Sequence, residues 1–148
     1  MYQKDFILRM IEMIAELVAA ILGLIKNGHT GQASQILENA YRDFLKEDAS
    51  FFREIPKHKL TTKLLEEHNY QNGHLEILSE LFYAEGELQV ALGNNKSSRI
   101  YFEKALILAD FVEKDSKTFS FNKRDKIFIL QEKIAALNGS ERENNKDK

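Results

Sequence analysis

The residues best suited to metal or acid–base chemistry in this 148-residue chain are its four histidines: His29, His58, His68 and His74. No pair has the His-Glu-x-x-His spacing that sets two zinc ligands on one helical face. His68 directly follows Glu66 and Glu67, and it can approach His74 across a predicted turn at residues 69–73. A surface cluster of unrelated side chains explains this grouping more simply. We therefore expect no metal site and no cofactor.

Motifs that carry catalysis are missing from the sequence. The seven glycines are scattered rather than gathered in a phosphate-binding loop, and no serine lies in a nucleophile elbow. There is no cysteine to act as a nucleophile, a thiolate ligand or a disulfide partner, which fits a reducing cytoplasm. Carboxylates are numerous, but any helical bundle can bring two of them together. We expect a non-enzymatic, cytoplasmic protein.

Two basic stretches offer the only pattern that suits nucleic acid. The denser one adjoins Phe51 and Phe52 and contains Arg53, Lys57, His58, Lys59 and Lys63. The other contains Lys117, Lys123, Arg124 and Lys126. Basic side chains interleaved with aromatic rings can hold phosphates and stack on bases. The alternative, which the net charge of −2 favours, is a set of solvated helix faces with Phe51 and Phe52 in the core.

Composition predicts an all-α protein. One proline in the whole chain leaves long segments free to be helical, and apolar residues seldom alternate with polar ones as they do in strands. The apolar periodicity predicts helices over residues 1–26, 30–47, 59–69, 74–92, 97–114 and 123–137. We expect one helical domain over residues 1–138. Residues 139–148 are polar and are expected to form a disordered tail.

The first helix is the most apolar segment and is expected to be the central core element. Apolar residues occupy two adjacent faces, of which the second includes Leu8, Ile11 and Leu22. Arg9, Glu12 and Glu16 interrupt the run, so that it is too short for a membrane span and too charged for a signal peptide. The second face remains available either for intramolecular packing or for a homodimer interface formed by Leu8, Ile11 and Leu22.

An internal repeat relates the two helix pairs. Four positions recur 65 residues apart, and the pairs are Gly28 and Gly93, Ala33 and Ser98, Leu37 and Phe102, and Ala40 and Ala105. With Gly86 allowing close helix approach in the second copy, the pattern resembles the tetratricopeptide repeat. Ile21 replaces that small residue in the first copy, and no proline closes either unit. The resemblance implies antiparallel hairpins in a right-handed array, with residues 48–70 as a degenerate unit, while a compact helical bundle is the alternative.

The opening residues carry a second resemblance. Positions 1–12 read Met-Tyr-Gln-Lys-Asp-Phe-Ile-Leu-Arg-Met-Ile-Glu, and an Ile-Leu-Gly-Leu segment follows at residues 21–24. This opening resembles that of a family of small, uncharacterised proteins from Gram-positive bacteria. The resemblance covers about the first 25 residues and implies a bacterial source. It supplies no catalytic residues.

A protein–protein interaction scaffold is therefore the leading functional hypothesis. Helical arrays have no intrinsic chemistry, and they bind peptides or partner helices along a concave surface. Tyr83, Glu87 and Gln89 are predicted to be exposed on that surface. The alternatives are a homodimer that associates through the first helix, and a protein that binds a small ligand or nucleic acid.

Overall fold

The structure, a computed structural model, describes residues 4–115 and 121–146. Every regular element in these ranges is helical, which confirms the predicted all-α class. The elements in chain order are α1 (Lys4–Lys26), α2 (Thr30–Leu45), α3 (Ala49–Arg53), a 3₁₀ turn (Lys57–Lys59), α4 (Leu60–Thr62), a π turn (Lys63–Glu67), α5 (Asn72–Ala91), α6 (Asn95–Asp115) and α7 (Phe121–Lys146).

Residues in the left-handed backbone conformation follow α1, α2 and α5. Gly28, after α1, has a φ of 83°, and Gly93, after α5, has a φ of 81°. Glycine adopts this conformation without steric cost, so the chain can turn back within a few residues at both positions. Lys46 takes the same role after α2, with a φ of 64°, and its N–H bonds to the carbonyl of Arg42.

The central helix of the fold is α5, and the prediction that α1 is central is wrong. Twelve residues of α5 are buried, including the polar side chains of Ser79 and Glu85, because α1, α2 and α6 all pack against it. By contrast, α1 leaves one side uncovered, where Phe6 and Met13 are exposed. Apolar composition alone did not distinguish a helix that is covered all round from one whose apolar surface is partly exposed.

Contacts fix the directions of the first three long helices. The end of α2 meets the starts of α1 and α5 at one cavity, whose lining includes Phe6, Phe44 and His74. Farther along, Tyr41 of α2 hydrogen-bonds to Glu85 of α5. These contacts place α2 antiparallel to both α1 and α5, and they make α1 and α5 parallel to one another.

A close helix approach joins α5 to α6. A Cβ atom at Gly86 would lie within 2.8 Å of three ring carbons of Phe102, and the hydroxyl of Ser98 donates to the Gly86 carbonyl over 2.7 Å. Near the other end of the pair, the Ser79 hydroxyl donates to the carbonyl of Ala105 over 2.8 Å. The helices are therefore antiparallel, and Gly86 allows the close approach that the sequence predicted for it.

The last long helix, α7, packs on α6 and reaches α5 through two lysines. Lys133 lies 2.7 Å from Glu87, and Lys126 is paired with Glu80. From one pair to the other, the residue number rises by the same amount on α7 as on α5, so the two helices run parallel. Thus α1, α5 and α7 share one direction and α2 and α6 share the other.

The end of α7 differs from the prediction. The helix continues to Lys146, past Asn138 and Gly139, where the sequence predicted a stop. A glycine inside a helix costs only about 1 kcal/mol relative to alanine, and the glutamates and arginine that follow are good helix formers. The predicted disordered tail is helical as far as Lys146, and its last two residues lie outside the described ranges.

Candidate functional site

An apolar stripe runs along the outer side of α1. It consists of Phe6, Met10, Met13, Leu17, Ala20 and Leu24, spaced alternately by four and three residues. We call it the outer stripe. Beside it lies the core stripe, which contains the buried residues Ile7, Ile14, Val18 and Ile21. Phe6 is 53% exposed and Met13 is 52% exposed, whereas Met10, Leu17 and Leu24 are half-buried against the core.

A cavity of about 340 Å³ opens beside the first half of the outer stripe. Phe6, Met10 and Met13 form one wall, Phe44 and Leu45 of α2 form another, and Asp43, Lys46 and His74 complete the lining. Two of the three polar members are engaged within the fold. The Lys46 ammonium group donates to the Asp43 carbonyl over 3.0 Å, and His74 is held at the start of α5. The cavity is therefore suited to an apolar side chain.

His74 presents a neutral group to this cavity. Its Nδ1 atom accepts the backbone N–H of Gln71 over 3.0 Å, and its ring stacks on Tyr70 with centroids 4.5 Å apart. Burial lowers the pKa of His74 below its ordinary value of 6.5. The imidazole is consequently uncharged at neutral pH, as a mainly apolar site requires.

The predicted concave positions on α5 are partly covered by α7. The ammonium group of Lys126 lies 5.6 Å from the centroid of the Tyr83 ring, and that of Lys133 lies 2.7 Å from a carboxylate oxygen of Glu87. Burial lowers the pKa of Lys126 to about 8. Burial and the nearby Glu87 raise the pKa of Tyr83. The expectation that Tyr83 and Glu87 are exposed is wrong, because both are half-buried against the lysines of α7.

The other predicted surface residues do not form one patch. Gln89 is half-buried and accepts a hydrogen bond from Asn94 over 2.9 Å. Leu8 is 50% exposed, but Ile11 and Leu22 are half-buried and pack against the core. The outer stripe is therefore the larger exposed apolar face of α1, and Leu8 is exposed separately from it. The exposed residues of the stripe, Phe6, Met13 and Ala20, lie on the opposite side of the core stripe from Leu8, Ile11 and Leu22.

A buried ionic cluster joins α2, α3 and α5, and no sequence pattern predicted it. Arg53 donates through Nε to Glu85 over 2.9 Å and lies 2.8 Å from a carboxylate oxygen of Glu38. The Tyr41 hydroxyl donates to the same Glu85 oxygen over 3.1 Å. Lys104 adds a hydrogen bond to the Arg53 carbonyl over 3.0 Å. These partners hold the irregular segment after α2 against the central helix.

The electrostatics of the cluster point to a structural role. Burial raises the pKa of Glu85, although the Arg53 guanidinium and the Tyr41 hydroxyl partly oppose the rise. Burial and the adjacent Glu85 also raise the pKa of Tyr41. Each charged or polar group of the cluster faces a partner within the fold. The contacts join residues 32 and 44 positions apart, and no local sequence pattern predicts contacts over such separations.

The remaining predicted chemistry is dispersed in the structure. Within residues 4–115 and 121–146, no group of three or more histidines and carboxylates has the proximity that a metal ion requires. In the basic stretch, Arg53 and Lys57 are paired with Glu85 and Glu103, and Phe52 is fully buried. No helix in the described part of the chain is both long and apolar enough to cross a membrane.

Comparison with protein-family models, with curated proteins and with solved structures finds no match to this chain.

Proposed function

We propose that this protein is a non-catalytic, cytoplasmic helical scaffold that binds a protein partner through the outer stripe of α1 and the adjoining cavity. The observation that carries the proposal is the exposure of Phe6 and Met13 beside an apolar cavity of about 340 Å³. Large apolar side chains gathered at one surface next to a pocket are typical of interaction sites.

The arrangement of the helices supports this location. Parallel helices α1 and α5, each followed by an antiparallel helix, are the arrangement expected of two tetratricopeptide-like hairpins. In such an array each hairpin covers the apolar face of its neighbour, and a terminal hairpin needs a polar outer face to remain soluble. The outer stripe lies on the first hairpin and is apolar, so it requires a partner. The predicted concave surface is a weaker candidate because Lys126 and Lys133 already contact it.

Site-specific photo-crosslinking tests the proposal. A benzophenone amino acid is placed at Met13 in the full chain, in a Gram-positive bacterial host of the kind that the opening motif implies. The matched control carries it at Phe128, an exposed aromatic position on α7. We expect a discrete protein adduct from position 13 and none from position 128. If position 13 yields no adduct, or both positions yield the same unspecific background, the proposed function is wrong.

A further inference from the structure

We propose that the partner at the outer stripe is a second copy of this chain, with the two α1 helices packed antiparallel about a two-fold axis. This inference rests on the proposed function, because it uses the same surface. The grounds for choosing a second copy are the spacing of the apolar residues, the positions of two exposed charges on α1, and the cavity beside them.

The spacing of the outer stripe is that of a coiled-coil seam. Apolar residues repeat at alternate steps of four and three over residues 6–24. A helix keeps such a stripe facing a neighbouring helix along its whole length. Phe6 and Met13 on this stripe remain about half exposed. A second helix of the same spacing is the simplest complement to this seam.

Two charges on α1 select the antiparallel orientation. Arg9 and Glu16 are both exposed, and they lie seven residues apart on the edge of the outer stripe that faces away from the core. In an antiparallel pair, such edge positions face one another, so that Arg9 meets the partner's Glu16, and the two-fold axis repeats the contact. A parallel pair would instead set Arg9 against the partner's Ile14, where it has no ionic partner.

The same charges fix the register. When Arg9 faces the partner's Glu16, Phe6 packs against the partner's Leu17 and Met10 against the partner's Met13, so every layer in this half of the stripe is apolar. A shift by one heptad would set Glu16 against the partner's Glu16, and like charges in contact are unfavourable. The apolar layers are compatible with both registers, so the charges decide between them.

The cavity adds room for the partner's side chains. It borders Phe6, Met10 and Met13, which occupy the layers of the proposed seam. Methionine adapts its flexible side chain to irregular gaps, so Met10 and Met13 can fill this space from both copies. The contact thereby extends from α1 to Phe44 of α2, which a stable dimer needs, since a single narrow seam buries less area than specific interfaces usually do.

Light scattering coupled to size exclusion tests the inference on the full chain across a concentration series. We expect a wild-type particle of twice the 17.1 kDa chain mass. Arg9→Glu sets glutamate against the partner's glutamate twice, and Glu16→Arg sets arginine against arginine twice. Each variant alone should dissociate at least about tenfold more readily. A mixture of the two variants restores both ion pairs and should return to the dimer. Lys96→Glu, the same charge change on α6, is the matched control and should remain dimeric.

Two outcomes overturn the inference. A wild-type protein that stays monomeric throughout the series has no second copy at the stripe, and if position 13 still crosslinks to a different protein, the proposed function survives this failure. A dimer that persists in both single variants, or a mixture that fails to recover, excludes the antiparallel register. Circular dichroism of each variant establishes that the chains compared are folded.

Discussion

Arg53 is the residue whose contacts do most to hold the irregular middle of the chain in place. Its guanidinium group bonds to the buried Glu85 and to Glu38, and it lies 5.5 Å from the centroid of the Tyr41 ring. Glu85 is nearly inaccessible, with 2% of its side chain exposed. A buried carboxylate that loses its cationic partner remains desolvated without compensation.

Replacing Arg53 by methionine is therefore expected to destabilise the fold by about 3 kcal/mol or more, since removal of one partner of a buried pair typically costs that much. The free energy of unfolding, measured by urea denaturation, checks this value. Arg42→Met is the control, because its pair with Asp48 is largely exposed and such pairs contribute roughly 0–1 kcal/mol. Equal losses in the two variants would contradict the role assigned to Arg53.

The same variant has a defined pH dependence. The pKa of Glu85 is already raised by burial, so the native state holds this proton more tightly than the unfolded chain does. Stability from this group is therefore lost as pH rises through its native pKa. Without the Arg53 charge that pKa rises further, and we expect the stability deficit of Arg53→Met to be larger at pH 8 than at pH 5. A deficit independent of pH would contradict the assignment.

Sequence reasoning could not have found this cluster. Each of its members is an ordinary charged or aromatic residue on a helical segment, and their proximity results from the packing of α2, α3 and α5. Phe52 illustrates what could be predicted, because the composition already placed it in the core as the alternative to base stacking, and it is fully buried.

At the scale of elements, the contact of α5 with α6 depends on the absence of a side chain at Gly86. Gly86→Ala gains helix propensity of about 1 kcal/mol. The added methyl group, however, overlaps the buried ring of Phe102, and overpacking of this kind typically costs 1–3 kcal/mol. We expect a net loss of stability, or none at best, in thermal and urea unfolding.

The matched change is Gly31→Ala in α2, where an added Cβ meets nothing within 4 Å. Removal of backbone freedom from the unfolded chain should stabilise this variant by roughly 0.4–1 kcal/mol. If both glycine variants are stabilised alike, the close approach of α5 and α6 is not a determinant of the fold.

Helix positions were predictable because apolar periodicity and turn glycines act locally. Gly28 and Gly93 end their hairpin turns as expected, and Gly86 lies at the predicted close approach. The end of α7 was not predictable in this way, because a single glycine weakens a helix without stopping it. Similarly, the apolar character of α1 did not reveal that α5 has more neighbours.

At the scale of the whole molecule, the ionic groups near the core are paired within the fold, whereas apolar surface remains exposed on α1. An assembly that buries this surface would link stability to protein concentration, because dimerisation favours the folded state by mass action. The midpoint of thermal unfolding should accordingly rise with concentration for the wild type.

Met13→Glu places a charge on the outer stripe and should abolish this concentration dependence while leaving a folded protein. Phe128→Glu, which alters an exposed aromatic residue on α7, should retain the wild-type dependence. Differential scanning calorimetry over a concentration series measures both. A wild-type midpoint that does not change with concentration would contradict the dimer.

The sequence indicated that α1 had apolar surface to spare, but it assigned that surface to Leu8, Ile11 and Leu22. The packing of α5 against α1 decides which of the two apolar faces of α1 is covered. This packing is a tertiary contact between segments about 65 residues apart in the sequence. Periodicity defines the faces of a helix, but only the neighbours decide which face is left free.

A photo-crosslinking scan along α1 tests whether the outer stripe is the binding surface, because it maps which side of one helix meets a partner. The benzophenone amino acid is placed in turn at five exposed positions: Phe6, Met13 and Ala20 on the outer stripe, and Ala15 and Ala19 on the other side of the helix. We expect discrete adducts at the three stripe positions and little or none at the other two. Adducts formed equally at all five positions, or mainly at Ala15 and Ala19, would show that the outer stripe is not the binding surface.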